Sequence, residues 1–432
     1  MTVTAEARAQ AQELLDFIDA SPSPWHVAAT VAQRLESQGF AQLREDQRWS
    51  LKPGGRYFVV RGGASVVGFV TGTQDLSQSA FRIIGAHTDS PGLRLKPRAP
   101  HAAEPMARLG VEVYGGAILA TFTDRDLSLA GRIVVRTETG QQTRLVRFAR
   151  PLVRLPNLAI HMNRNVNEDG LKLNKQTELP LLLGNLQEAF PPAEQFRALL
   201  AHEAGVEAEA IINWEFQVYD TQPGAFWGAQ DEFIADSQLD NLSSCHSSLT
   251  ALIGTHEPAA TCVCALFDHE EIGSESAHGA AGSLLSDVLQ RIACGLDREA
   301  FGGLLARSFF ISADMAHAYH PNFPSAYEPL HTIRVNGGPV IKTNANQRYA
   351  TNAESEAYFI ALCEESGVPW QQYAHRTDLG CGSTIGPIVA TRLGLRSVDV
   401  GNPMWAMHSA RESAGAVDHG MMMRVMRQFF VH

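Results

Sequence analysis

From residue 239 onward, runs that read as helices alternate with short runs that are almost wholly apolar. "LDNLSSCHSSLTALIG" is followed by "ATCVCALFD", "LLSDVLQRIACGL" by "ARSFFISAD", and "NAESEAYFIALCEESG" by "RSVDVG", with a last helix around "MMMRVMRQFF". A strand that is apolar on both faces needs cover on both, and intervening helices supply it. The alternation therefore predicts an α/β fold with a mainly parallel central sheet and helices on both faces. In such a sheet, ligands bind beyond the carboxyl ends of the strands.

Before residue 95, a helix over 5–19 and a second one opened by Ser23-Pro24 precede three strand-like runs, "RYFVVRG", "SVVGFVTG" and "FRIIGAH". Between 96 and 236 the texture changes. Valine, leucine and threonine runs such as "VEVYGGAILATF", "GRIVVRT" and "TRLVRFARPLVRL" are broken by glycine and proline, with helical segments near 180–204. A chain of 432 residues exceeds one ordinary core. The expected layout is one domain from 1–95 and 237–432, interrupted by a smaller β-rich domain over 96–236.

Composition narrows the partners. A net charge of -11 argues against nucleic acid and anionic membrane surfaces. No apolar run reaches the length of a membrane span, and "MTVTAEARAQAQELLDF" lacks the apolar core of a secretion signal. The six cysteines (Cys245, Cys262, Cys264, Cys294, Cys363, Cys381) are scattered among apolar and small residues, which fits reduced thiols and a cytoplasmic location. Cys262 and Cys264 have no second close pair, so a cysteine zinc site is not expected.

The polar residues at strand ends carry the chemistry. "IIGAHTDSPG" ends a strand with His87 and Asp89, "ALFDHEEIG" with Glu270 and Glu271, and "FFISADMAH" with Asp314; His408 follows the strand "SVDVG", and Asp240 opens a helix. Two adjacent carboxylates beyond a buried strand repel each other, so positive charge must meet them. His87, Asp240, Glu271, Asp314 and His408 form an imidazole and carboxylate set suited to two divalent cations, zinc first, with manganese and cobalt as alternatives. Glu270 would then hold the attacking water and shuttle its proton. The Asp89 carboxylate, two residues past His87, could accept that ring's other N–H. Each residue also has a plain structural reading. Asp240 and Asp314 could cap helices, His408 could be a core histidine, and glycine-rich "YGGAI" and "GCGSTIG" read as turns, since neither has phosphate-loop spacing.

Taken together, "GAHTDSPGLRLKP", "YGGAILATFTDRDLSLAGR", "LPNLAIHMNRNVN", "FDHEEIGSESAHGA", "SADMAHAYHPNF", "GGPVIKTNANQRYATN", "CGSTIGPIVA" and "MHSARE" resemble the aspartyl aminopeptidases. These are cytosolic metallo-aminopeptidases with two co-catalytic metals. The resemblance implies hydrolysis of an N-terminal aspartate or glutamate from peptides through a metal-bridging hydroxide, with Glu270 as general base. It assigns His87, Asp240 and Asp314 to one metal, and Asp240, Glu271 and His408 to the other. It makes His161 a residue that reaches a neighbouring subunit's site, His320 a substrate or oxyanion contact, and Lys342 the cation that meets the acidic side chain. It also implies the zinc-peptidase fold with a β-rich dimerisation insert, and a homo-dodecamer built from dimers. The chain departs from the family pattern at Gln238, at Thr121, Phe122 and Thr123, and at Trp405. Two rival readings are a broader aminopeptidase or a deacylase of similar fold that prefers neutral or basic residues, and a catalytically silent scaffold or binding protein on the same fold.

Overall fold

The computed structural model describes residues 3–186 and 191–431. Its largest sheet has nine strands: β1 (Ala41–Gln42), β2 (Arg56–Arg61), β3 (Ser65–Val70), β4 (Phe81–His87), β13 (Thr261–Phe267), β14 (Phe309–Ala313), β16 (Val340–Thr343), β17 (Gln371–Ala374) and β18 (Arg396–Gly401). They are ordered β1-β2-β3-β13-β4-β14-β18-β16-β17. The central four, β13, β4, β14 and β18, are mutually parallel, while β3 and β16 join them antiparallel.

Strand side chains alternate between faces, and the packing follows that period. Ile84, Cys264, Ile311 and Val398 pack on one face with Leu242 and Leu249 of the helix Leu239–Ile253 and with Val425, Met426 and Phe429 of the helix Asp418–Val431. Their strand neighbours Ile83, Val263 and Phe310 pack on the other face, with Leu284 and Val288 of the helix Leu284–Ile292 and Val389 of the helix Ile385–Leu393. The register pairs Phe267 with His87 and Ala313 with Val400, so the segments after these strands emerge along one edge.

A second sheet is antiparallel and six-stranded. It comprises β5 (Gly92–Ala103), β6 (Met106–Tyr114), β7 (Leu127–Thr137), β8 (Gly140–Arg147), β9 (Leu181–Asn185) and β10 (Ile211–Asp220), in the order β8-β7-β10-β5-β6-β9. Leu93, Leu129, Ile133 and Phe216 form its core with Phe196 and Leu200 of the helix Pro192–Ala204. The stretch 180–204 thus opens with a strand, β9, rather than a helix. "LLLGN" is too short to sustain a helix of its own, and pairing with β6 satisfies its backbone instead. A third, five-stranded sheet joins β11 (Ala225–Trp227), β12 (Phe233–Asp236), β15 (Ala316–His317), β19 (Pro403–Trp405) and β20 (Glu412–Gly415). Cys245, Cys262, Cys264 and Cys363 are buried free thiols, whereas Cys294 is exposed. No described helix is long and apolar enough to cross a membrane.

Candidate metal centre

His87 ends β4, and its ring is fixed from behind. Nδ1 donates to the Asp89 carbonyl at 2.9 Å, and a carbonyl can only accept, so Nδ1 carries a proton. Nε2 then faces forward, 3.5 Å from Asp240 Oδ1, 3.5 Å from Asp314 Oδ1 and 3.9 Å from Glu270 Oε2. The Asp89 carboxylate, expected to accept this N–H, stands behind the ring as an ion-pair neighbour, Oδ1 3.5 Å from Nδ1, while its own carbonyl takes the shorter hydrogen bond. The carboxylate also accepts from Glu270 N and Glu271 N, each at 3.1 Å, and from the Tyr114 hydroxyl at 2.6 Å. Two successive backbone amides aimed at one carboxylate define the turn after β13 and present both glutamates.

His408 is held in the same manner from the opposite side. It lies between β19 and β20, with Nδ1 donating to the Gly116 carbonyl at 3.2 Å. Its Nε2 is 3.3 Å from Asp240 Oδ2 and 3.3 Å from Glu271 Oε1. Asp240 therefore stands between the two imidazoles, one carboxylate oxygen toward each. Glu412 anchors both residues: its carboxylate accepts from Asp240 N at 3.0 Å and from His408 N at 2.6 Å. Ser90 Oγ donates to the Asp240 carbonyl at 2.7 Å, and the Asp240–Asn241 peptide is cis. Asp314 follows β14, its amide bonded to Val400 O.

The electrostatics record a shortage of positive charge. Burial pushes the Glu270 carboxyl well up and Glu271 to about 7, with neighbouring carboxylates adding to the rise. Burial also raises Glu412, helped by Asp240. Burial opposes charge on His408, yet Asp240 and Glu271 raise it to about 11. His87 behaves likewise: burial opposes its charge, and Asp240, Asp314 and Asp89 outweigh that, so its net shift is upward. Imidazolium protons on Nε2 thus stand where a cation would.

The residues fit divalent ions. The atoms of His87, Asp240 and Asp314, and those of Asp240, Glu271 and His408, form two groups whose members lie within 4.8 Å of one another and share Asp240. Tetrahedral zinc with nitrogen and oxygen ligands spaces them about 3.3 Å apart, close to the separations around both imidazoles. Asp240 Oδ1 and Glu271 Oε1 are buried without a hydrogen-bond partner, which an apolar or solvent-free pocket would penalise.

The remaining residues expected at the site are placed differently. Lys342 on β16 is 2% exposed, and its ammonium donates to the carbonyls of Asp314 at 3.0 Å and Met315 at 3.1 Å, with Asp314 Oδ2 at 3.4 Å. It is a buried partner of a metal-centre carboxylate rather than an open cation. His320 packs against Phe323 at 4.8 Å, and its Nδ1 accepts from Asn322 N. His161 lies in an exposed stretch of the chain. Neither is joined to the centre by a hydrogen bond or ion pair among the described residues. Sequence reading misses Glu412 and Tyr114. Both stand in quoted motifs, a usable signal: Glu412 four residues after His408 in "MHSARE", and Tyr114 at the head of "YGGAILATFTDRDLSLAGR".

A family model described as aminopeptidase I zinc metalloprotease (M18) matches residues 17–430. A probable M18 family aminopeptidase 2 of Pseudomonas paraeruginosa is 46% identical over 423 residues, covering 97% of each chain. Its counterpart in Pseudomonas fluorescens is 45% identical over the same span. Among solved structures, Ape4 in its complex with Nbr1 superposes with a TM-score of 0.96 at 37% identity, covering 100% of this chain and 87% of that one. The S. cerevisiae mApe1 dodecamer gives 0.86 at 27%, covering 99% and 97%.

Proposed function

The chain belongs to the aminopeptidase I zinc metalloprotease family (M18), and from that premise we propose that it removes an N-terminal aspartate or glutamate from peptides. The observation that carries the site assignment is Asp240 suspended between His87 and His408, with Glu270 and Glu271 presented beside it. His87, Asp240 and Asp314 would hold one divalent ion, and Asp240, Glu271 and His408 the other. When bound, such ions polarise a scissile carbonyl and make water acidic enough to attack near neutral pH. Glu270 takes the proton from that water and passes it to the leaving amine. Its buried position favours holding the proton between those two transfers. Asp89 and Tyr114 hold the turn that aims Glu270, and Glu412 holds the backbones of Asp240 and His408.

Lys342 supports the acidic preference through geometry. Its two shorter bonds go to backbone carbonyls, and the longest, to Asp314 Oδ2, is the one a substrate carboxylate can replace. A cation inside a chain of net charge -11 also supplies the local attraction that an acidic residue needs. His320 contacts the substrate, and His161 acts from a neighbouring subunit in a dodecamer like that of mApe1. The burial of Lys342 favours a second reading, an aminopeptidase with wider tolerance at the first residue.

The test is release of p-nitroaniline from aspartyl, glutamyl, leucyl and lysyl amides by metal-stripped protein with zinc, manganese or cobalt added back. Metal-dependent cleavage of the acidic substrates alone supports the proposal. A leucyl preference removes the acidic specificity but keeps the chemistry. Inactivity with metal bound removes both.

A further inference from the structure

The loop after β13 carries a second cluster of ligand-competent groups that shares no residue with the centre above. Asp268, His269 and His278 each offer one donor atom, all within 4.8 Å of one another. Asp268 is 2% exposed, and the two histidines are half-buried with a solvent-facing side.

The local backbone builds the cluster. His269 adopts a left-handed conformation, φ +66°, which folds its ring back over the preceding residue. Its Nε2 comes 3.3 Å from Asp268 Oδ2, while its own amide donates to Asp268 Oδ1 at 2.9 Å. Ser276 Oγ, 2.8 Å from His269 Nδ1, fixes the ring from behind, the arrangement that outer partners give to ligating histidines. The same hydroxyl oxygen accepts from His278 N and Gly279 N. That places the His278 ring nearly parallel to His269, centroids 5.7 Å apart. His278 packs over Gly62, where any β-carbon would collide with its Nε2. Among the described residues, neither His278 ring nitrogen makes a hydrogen bond.

We propose that Asp268, His269 and His278 form a further binding site for a zinc-type divalent ion, with its outward coordination position open to solvent. Two imidazoles and one carboxylate are a donor set of that class. The 3.3 Å separation of Asp268 Oδ2 and His269 Nε2 is the edge of a zinc tetrahedron, about 3.3 Å. Burial and the nearby His269, Arg132 and Arg61 lower the pKa of His278, which leaves it the neutral imidazole a metal requires. Among the described residues, the Asp268 carboxylate's ion-pair partner is His269. An ion here ties the two ends of the loop that presents Glu270 and Glu271. It is therefore a clip on that loop, not a participant in the reaction.

The experiment is zinc stoichiometry by elemental analysis, after equilibration in excess zinc chloride and gel filtration. Wild-type protein is expected to retain one zinc per chain more than His278→Gln, and His278→Glu, which keeps a ligand of similar reach, is expected to restore it. Equal zinc in wild type and His278→Gln overturns the proposal. If His278→Gln does not fold, wild-type crystals soaked in zinc chloride decide at the zinc absorption edge. An anomalous peak between Asp268 and the two rings supports the site, and peaks confined to the His87–His408 centre overturn it. The count is a difference between two proteins, so failure of the two-ion reading of that centre leaves this test intact.

Discussion

Asp89 accepts three hydrogen bonds on a carboxylate that touches no solvent, and every one of them orients something else. Removing the Tyr114 hydroxyl takes away one donor to a buried charge, a loss of about 1.5–3 kcal/mol. Tyr114→Phe is expected to lower the melting temperature and to lower kcat more than it changes KM, read by steady-state kinetics on the best amide. Glu270 is placed differently, since its carboxylate faces His87, Asp314 and Glu271. Glu270→Gln is expected to reduce kcat by about 10²–10⁴-fold with metal content unchanged by elemental analysis. Full activity with metal retained would remove Glu270 from its role. These residues also mark what a sequence can disclose. His87, Glu270 and Asp314 are legible because each follows a run apolar enough to be a buried strand, so its polar end is conspicuous. The contact of Tyr114 with Asp89 is not legible, because it depends on the register of β5 with β6, which sets Tyr114 opposite Gly92, three residues past Asp89. Lys342 is legible as a cation but not as a buried one, since burial depends on the carbonyls after β14.

The helices Leu239–Ile253 and Asp418–Val431 meet through a buried histidine pair, His246 Nδ1 lying 2.8 Å from His419 Nε2. His419 Nδ1 is within 3.4 Å of the Ser243 and Ser247 hydroxyls. Burial lowers both rings, His419 to about 3 and His246 well below its usual value. The unfolded chain takes up these protons below about pH 6.5, whereas the folded chain does not until far lower pH. Stability from the pair is therefore complete above about 6.5 and falls as pH drops, by up to about 1.4 kcal/mol per pH unit for each ring. Urea unfolding of metal-free protein at pH 7 and pH 5 should show that loss, and His419→Gln should shrink it. At the end of β18, a β-carbon on Gly401 would collide with the Asp314 carbonyl oxygen. Gly401→Ala must push that backbone aside, so a drop in metal affinity is expected with the sheet otherwise intact, measured by competition with a chelator. Helix and strand alternation in the second half of the chain is readable from apolar periodicity alone. β9 is missed because five residues, mostly leucine, carry no period long enough to separate strand from helix.

At the scale of the whole molecule, the stretch around His161 exposes Leu158 at 68% and Met162 at 75%, an apolar surface that a water-facing chain rarely leaves uncovered. If His161 works in a neighbouring site, Met162→Asp should reduce both the assembly mass by light scattering and the activity, while bound metal stays constant. Lost mass with full activity would detach His161 from the reaction. The groups that converge at the centre come from β4, the helix start at Asp240, the turn after β13, the end of β14 and the turn before β20. They are spread along the chain from His87 to His408. A ribosome must therefore pass His408 before the last of them exists, and until then the nascent polypeptide has no means of cutting the unfinished chains and fresh amino termini crowded around it.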